Sequence, residues 1–132
     1  MNTMHDYILP IAGLSIGYHD FEYDIDDKFF DNFEFSEVKK GNVKVNLNVE
    51  KHEREFVLTF RFAGNVLIPC DRCNDEYEQS IENEVVIYLK YGHSYEEESD
   101  DVIVIPSEEG EFDVSSLIYE YIILSLPIHR VH

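Results

Sequence analysis

The feature that most constrains the fold is an alternation of apolar and polar residues between positions 42 and 62, interrupted at Val57. Apolar residues occupy every second position in two runs, one on each side of the polar segment 51–54 (KHER). These residues are Val43, Val45, Leu47 and Val49 in the first run and Phe56, Leu58, Phe60 and Phe62 in the second. Successive side chains of a strand point to opposite faces, so each run places its apolar residues on one face. The pattern predicts an antiparallel hairpin with one buried face and the KHER segment at its tip.

A second pair of strands is predicted around the two cysteines of the chain. Apolar residues lie at 66–68 and again at 85–89, and Cys70 and Cys73 stand between these runs in the tetrapeptide CDRC. We expect the CxxC at or near the connection of two antiparallel strands, with both sulfurs on one side of the turn. Between the two hairpins, the segment 63–65 (AGN) predicts a bend or a bulge.

The remaining segments predict shorter elements. Residues 5–16 are interpreted as an edge strand, because the proline within them cannot donate to a ladder. Residues 18–26 alternate as a half-buried strand does, residues 27–33 predict a helical turn with an aspartate cap, and residues 102–105 predict a short strand.

The last predicted element is a helix that begins after Asp113, a residue type that caps helices, and ends before Pro127. Its apolar residues cover almost the whole circumference, which is typical of a helix that is buried against a sheet or that binds a partner. They are Val114, Leu117, Ile118, Tyr121, Ile122, Ile123, Leu124 and Leu126. The sequence therefore predicts one α+β domain over residues 1–132. We expect a mainly antiparallel sheet of hairpins, as a meander or a barrel-like sheet, with the C-terminal helix packed on it.

The charge of the chain restricts its partners. It carries 10 Lys and Arg against 28 Asp and Glu, a formal net charge of −18. Such a chain repels nucleic acid phosphates over most of its surface and attracts proteins with a basic face. No run approaches the roughly 20 apolar residues of a membrane span, and no basic residue precedes the apolar run at the N-terminus. We therefore expect a cytoplasmic protein with no membrane partner and, because it has no dinucleotide or phosphate loop, no small-molecule substrate.

Two charged segments are candidates for contacts with a partner. The segment 92–101 is interpreted as a solvated mobile loop, or alternatively as a contact for a basic partner. Its acids are Glu96, Glu97, Glu98, Asp100 and Asp101. At the hairpin tip, Lys51, His52 and Arg54 either simply expose their charges or form a small patch that touches RNA.

The residues alone leave the chemistry of the cysteine pair open. A redox pair is disfavoured, because β-prone sequence lies on both sides of the CxxC and a thioredoxin-like motif opens a helix. Metal binding needs further ligands, of which His129 and His132 are the best candidates. The competing interpretation is two buried thiols that behave as small hydrophobic groups. The abundant carboxylates form no compact cluster and no Ser, His and Asp arrangement is visible, so hydrolytic catalysis is disfavoured.

Two stretches together resemble one family. CDRCNDEYEQSIENEVVIYL is similar to the CxRC block of the YceD family, the large ribosomal RNA subunit accumulation proteins of bacteria and plastids. GEFDVSSLIYEYIILSLPIHRVH is similar to the closing block of the same family. The matching positions are Cys70, Arg72, Cys73 and Tyr77 in the first block and Glu120, Leu124, Leu126, Pro127 and His132 in the second. The resemblance covers roughly residues 60–132.

The resemblance implies a non-enzymatic factor of ribosome biogenesis that supports the accumulation or processing of large-subunit (23S) ribosomal RNA. Its partners would be ribosomal or ribosome-assembly proteins with basic surfaces, with ribosomal RNA reached through a small patch, and Arg72 would join the acidic segment in contacts. The competing classes are a thiol redox enzyme that uses the CxxC pair and a zinc-dependent interaction module unrelated to ribosomes.

The resemblance also implies a metal site that is incomplete in this chain. Family members usually continue past the histidine and carry a further cysteine within a few residues, whereas this sequence ends at His132. We expect Cys70, Cys73 and His132 to be three of the four ligands of a zinc site. No cofactor is therefore expected here, and zinc is expected only in a longer chain, of which this sequence would be a truncated piece unless its lineage lacks the tail.

Overall fold

The computed structural model describes residues 7–33, 36, 38–73, 75–99, 101–106 and 108–127. The elements in chain order are β1 (Ile8–Leu9), a 3₁₀ turn (Ile11–Gly13), β2 (Gly17–Ile25), α1 (Asp27–Phe30), β3 (Lys40–Lys51), β4 (Glu55–Pro69), β5 (Glu76–Gly92), β6 (Glu96–Ser99), β7 (Val102–Pro106), β8 (Phe112–Asp113) and α2 (Ser115–Leu124).

The main sheet has the strand order β2-β3-β4-β5-β7-β6, and β1 pairs separately with β8. All pairs are antiparallel except β5 with β7, which are parallel. The predicted fold class is therefore confirmed: a mainly antiparallel sheet with one C-terminal helix. In the described part of the chain the sheet stays open, with β2 and β6 at its edges, so it is a meander with an added β6–β7 hairpin rather than a closed barrel.

Strand β4 joins the two predicted hairpins into one structure. It pairs with β3 from Phe56 to Leu67 and with β5 over its whole length, with no register shift in either ladder. Of the bend or bulge predicted at 63–65, the bulge is therefore wrong, because neither ladder contains an extra residue there. Gly64 instead allows a close approach, since a Cβ at this position would lie 2.2 Å from the Asn42 carbonyl oxygen and 2.6 Å from the Val43 Cα.

The alternation seen in the sequence defines the buried face of the sheet. The four apolar residues of each run of the hairpin have at most 1% of their surface exposed. Helix α2 covers this face with Leu117, Ile118 and Ile122. Just past its end, the Ser125 hydroxyl accepts a hydrogen bond of 3.0 Å from the Asn83 side-chain amide on β5. The predicted burial of the helix against the sheet is thereby confirmed.

Both predicted capping aspartates accept a backbone hydrogen bond at the start of a helix. Asp113 lies one residue before the N-cap position of α2, which is Val114. The Asp113 carboxylate accepts a hydrogen bond of 2.8 Å from the Ser115 backbone N–H, so it caps α2 from the preceding strand. The Asp26 carboxylate caps α1 by accepting a hydrogen bond of 3.1 Å from the Lys28 N–H.

The long edge strand predicted at 5–16 is wrong over its described part, because strand β1 has two residues and a 3₁₀ turn follows it. Residues 5 and 6 lie outside the described residues.

Replacing Phe60 tests the assignment of the buried face. Phe60 is fully buried, so Phe60→Ala leaves a cavity in the core and should lower the free energy of unfolding by about 3–5 kcal/mol. Chemical denaturation measures this loss. The control is Val86→Ala on the exposed face, where 37% of the side chain is exposed and the loss should stay below about 1 kcal/mol. A loss below about 1 kcal/mol for Phe60→Ala would show that the faces are reversed.

Replacing Gly64 tests the close approach of β3 to β4. Gly64→Ala puts a methyl group against backbone atoms that cannot move aside, and it should cost about 1–3 kcal/mol of unfolding free energy. Gly13→Ala is the matched control, because no atom lies within 4 Å of the added Cβ there. Thermal melts of both variants check the prediction, which fails if Gly64→Ala is as mild as Gly13→Ala.

Candidate functional site

The two cysteines lie at the connection of β4 and β5, as predicted. Residues 70–73, here called the cysteine turn, close the strands, and the Cys70 N–H donates a hydrogen bond of 2.8 Å to the Asp75 carbonyl. No disulfide joins the two residues. Arg72 is exposed at the tip of this turn, where a partner could reach it.

The two thiols are in different environments. Cys70 continues the buried side of β4 beyond Val66 and Ile68, and only 3% of its surface is exposed. Cys73 has left the strand and is exposed. The alternation of β4 explains this difference in burial. Cys70 follows the alternation and points to the buried face, whereas Cys73 lies in the turn, where the alternation no longer determines the direction of the side chain.

The described residues do not form a complete metal site. Within the ranges that the structure describes, no group of three or more His, Cys, Asp or Glu residues could hold a metal ion. His129 and His132, the predicted further ligands, lie outside the described residues. A site made of Cys70, Cys73 and His132 therefore stays a prediction, and two cysteines cannot close a four-ligand zinc site.

The surroundings of the cysteine turn differ from those of thioredoxin-like motifs. A thioredoxin-like CxxC opens a helix, whose dipole stabilises the thiolate. Here strands flank the turn on both sides, β4 before it and β5 after it. The helix-dipole contribution to thiol reactivity is therefore missing at this position.

The acidic segment is largely an edge strand rather than a mobile loop. Glu96, Glu97 and Glu98 lie on β6, which pairs with β7 at the edge of the main sheet, and all three side chains are exposed. Lys90 Nζ lies 3.3 Å from Glu98 Oε1, an exposed ion pair of the kind that contributes little to stability. Asp101 follows in the turn to β7, and Asp100 lies outside the described residues. The interpretation of this segment as a loop is wrong for residues 96–99, because backbone pairing with β7 orders a sequence that has no apolar pattern.

The basic residues of the hairpin tip are mostly engaged within the protein. The Lys51 ammonium donates to the carbonyl oxygens of Ile11, at 3.1 Å, and Leu14. It also lies 5.6 Å from the centre of the Phe56 ring. The His52 ring contacts the Glu50 carboxylate, which leaves Arg54 as the exposed cation of this tip. The structure therefore gives little support to an RNA-contacting patch here.

A cleft between β6 and α2 was not predicted from the sequence. It has a volume of about 650 Å³ and is here called the helix–strand groove; it is lined by Glu97, Ser99, Glu120, Tyr121 and Leu124. The three helical residues share one face of α2, as the spacing of positions 120, 121 and 124 requires. The sequence contains one signal for this cleft, the apolar residues around almost the whole circumference of the helix. Only some of these residues can face the sheet, so others must remain exposed.

The helix–strand groove has an acidic rim. In the described part of the chain, neither Glu97 nor Glu120 belongs to an ion pair. The pKa of Tyr95 is raised above its ordinary value, first by partial desolvation and then by the charges of both Glu97 and Glu120. The two carboxylates thus act on the same small region from the strand and from the helix.

Comparison with known proteins identifies the family. The family model described as large ribosomal RNA subunit accumulation protein YceD matches residues 58–132. The chain belongs to the YceD family. The match runs from Leu58, near the start of β4, through the cysteine turn, β6 and α2, so it includes every candidate contact residue except those of the hairpin tip. The resemblance of the two sequence blocks is confirmed. Comparisons with curated proteins and with solved structures give no match.

None of the described helices of this YceD-family chain is long and apolar enough to cross a bilayer. Helix α2, the longer of the two α-helices, has 10 residues against the roughly 20 that a span requires.

The burial of Cys70 predicts unequal reactivity of the two thiols. In the folded protein Cys73 should react with Ellman's reagent at least about tenfold faster than Cys70, because Cys70 becomes accessible only when the structure opens. Cys70→Ser and Cys73→Ser assign the rates, and denaturant should abolish the difference. Two equally fast thiols in the native protein would contradict the position of Cys70.

Proposed function

We propose that this protein is a non-enzymatic assembly factor that supports the accumulation or processing of large-subunit (23S) ribosomal RNA in the cytoplasm. The observation that carries the proposal is the family match over residues 58–132, which contains the cysteine turn, the acidic strand and the C-terminal helix. The factor acts by binding, because the described residues offer surfaces suited to contact rather than a compact catalytic cluster.

The partners in this proposal are ribosomal or ribosome-assembly proteins with basic surfaces. The net charge of −18 attracts such proteins over long distances and opposes direct contact with RNA. The three exposed glutamates of β6 concentrate this charge at one edge of the sheet. Arg72, exposed at the cysteine turn, is a candidate for a contact of the opposite sign, including a limited contact with RNA.

The proposal includes no cofactor for this chain. Cys70 stabilises the end of β4 as a buried thiol, and Cys73 remains at the surface. A fourth ligand in a longer chain would change this by completing a zinc site with the cysteines and His132.

Genetic rescue tests the proposed function. Cells that lack this gene should contain less mature 23S relative to 16S ribosomal RNA, and the wild-type chain should restore the ratio. The variant Cys73→Ser should restore it too, since it removes an exposed thiol without disturbing the core. An unchanged ratio in the deleted cells would overturn the proposal.

Two further outcomes would favour the competing classes. Failure of Cys73→Ser to rescue, together with fast disulfide exchange by the wild-type protein, would indicate a thiol redox enzyme. Stoichiometric zinc in the purified chain, with captured partners that are not ribosomal, would indicate a zinc-dependent interaction module. Capture of partners from lysate at low and at high salt supplies the second readout, and ribosomal or assembly proteins should be retained mainly at low salt.

Neutralising the acidic segment should slow association with the basic partner. The variant replaces Glu96, Glu97, Glu98, Asp100 and Asp101 by the corresponding amides. Long-range electrostatic attraction speeds the diffusional encounter of the two proteins. The association rate of the variant should therefore fall more than its dissociation rate rises, and the difference in association rate between variant and wild type should shrink at high salt. Surface plasmon resonance with the captured partner measures both rates.

The matched control removes the same number of charges from the exposed face of the sheet. It amidates Asp20, Glu22, Asp24, Glu78 and Glu82, all of which are exposed on β2 and β5. If the acidic segment is the contact, the control should slow association less at equal net charge. Equal association rates for the two variants would remove the segment from the mechanism.

A further inference from the structure

We propose that the helix–strand groove binds a segment of the partner protein that is rich in lysine and arginine and carries one apolar side chain, which packs against Leu124 and Tyr121. This inference rests on the proposed function for the class of partner. It adds the place of binding and the kind of segment that is recognised.

The apolar wall of the groove is a part of α2 that the sheet leaves uncovered. Leu117 is 8% exposed and Ile118 and Ile122 are fully buried, whereas Leu124 is 66% exposed. A single exposed leucine is ordinary on a protein surface. Leu124, however, stands beside the half-buried Tyr121 in a cleft of about 650 Å³, where a further apolar side chain would lose contact with water on several sides.

The position of β6 creates the opposite wall. Glu97 pairs with Ile103 of β7, and Ile103 is buried on the face of the sheet that carries α2. Directly paired residues of neighbouring strands point to the same face, so Glu97 faces the helix side as well. Strand β6 is the last strand of the sheet, and α2 does not bury its side chains, which are all exposed. The cleft therefore lies between β6 and α2.

The charges of the groove select the occupant. Glu97 on one wall and Glu120 on the other have no ion-pair partner in the part of the chain that the structure describes. Two carboxylates that face one cleft repel each other, and a lysine or arginine side chain between them removes this repulsion. Phosphates of RNA and anionic lipid headgroups would increase it, and a second copy of this chain would bring the same carboxylates.

The size of the groove limits the segment. The five helical residues from Glu120 to Leu124 span about 6 Å along the axis of α2, and β6 contributes four residues. The four residues of β6 span roughly 13 Å, so the groove accommodates about four residues of an extended chain. The expected segment therefore has one apolar residue near its middle and basic residues on both sides.

Peptide binding tests this inference on the full-length chain. The probe is the fluorescent peptide KRKLKRK, with KRKGKRK and EDELEDE as comparisons, and fluorescence anisotropy measures the dissociation constants. KRKLKRK should bind roughly tenfold more tightly than KRKGKRK, because only the leucine can bury apolar area against Leu124. EDELEDE should not bind.

Three variants locate the binding site. Leu124→Ser should abolish the preference for the leucine peptide, and its exposed position leaves the core intact. The double variant Glu97→Gln and Glu120→Gln should weaken both basic peptides roughly tenfold. The control Glu22→Gln and Glu82→Gln makes the same change in charge on the other face of the sheet and should alter affinity less than about twofold.

Several results would overturn the inference. Equal affinity of KRKLKRK and KRKGKRK for the wild type excludes the apolar anchor, and equal affinities of the groove and control variants exclude the groove. Binding of oligouridine RNA that is lost in the groove variants would assign the cleft to nucleic acid, and groove-dependent self-association in sedimentation would assign it to a second copy.

The failure of this inference can be separated from the failure of the proposed function. If the gene deletion leaves the 23S to 16S ratio unchanged, the proposed function fails whatever the peptides do. If the deletion lowers the ratio and Leu124→Ser and the groove double variant restore it as well as the wild type, the function stands and the groove is not its binding site. Loss of rescue by the groove variants, with rescue by the control, supports both.

Discussion

The burial of one face of β4 is the constraint on which the rest of the structure depends. Its residues Phe56, Leu58, Phe60 and Phe62 are at most 1% exposed, and β4 pairs along its length with β5 and over most of its length with β3. A shift of the register of either ladder by one residue would move these four side chains from the buried face to the solvent-exposed face of the sheet. The same alternation continues to Cys70, so it also sets the burial of the first residue of the cysteine turn.

The helix and the edge of the sheet follow from this buried face. Helix α2 covers it with Leu117, Ile118 and Ile122, and its remaining apolar surface is left at Leu124. Strand β6 lies beyond that cover because it pairs only with β7 at the end of the strand order. The helix–strand groove is therefore a consequence of a helix that is narrower than the sheet it protects. The acids of β6 have a structural role as well, because charged side chains on an edge strand discourage pairing with a strand of another molecule.

Sequence reasoning succeeded where burial leaves a local pattern. The period of two in residues 43–62 predicted β3 and β4, and the caps at Asp26 and Asp113 predicted the starts of both helices. It failed where a partner strand decides the outcome. Residues 96–99 have no apolar alternation, so only their pairing with β7 makes them a strand. The segment 63–65 was interpreted as a bend or a bulge. The reason for a glycine at position 64 is the close Asn42 carbonyl, which belongs to the neighbouring strand β3 and leaves no local signal. The groove depends on the relative widths of helix and sheet, which no local pattern contains.

The most direct measurement of the central claim, that the acidic edge of this YceD-family protein recognises basic assembly partners, is carbodiimide crosslinking in cell lysate followed by mass spectrometry. Carbodiimide joins carboxylates to lysine amines that are already in contact, so it reports which acids touch a partner. We expect crosslinks from Glu97 and Glu120 to lysines of ribosomal or ribosome-assembly proteins, and few from Glu22 and Glu82, which are exposed as well. Crosslinks spread evenly over all exposed acids, or partners unrelated to the ribosome, would contradict it.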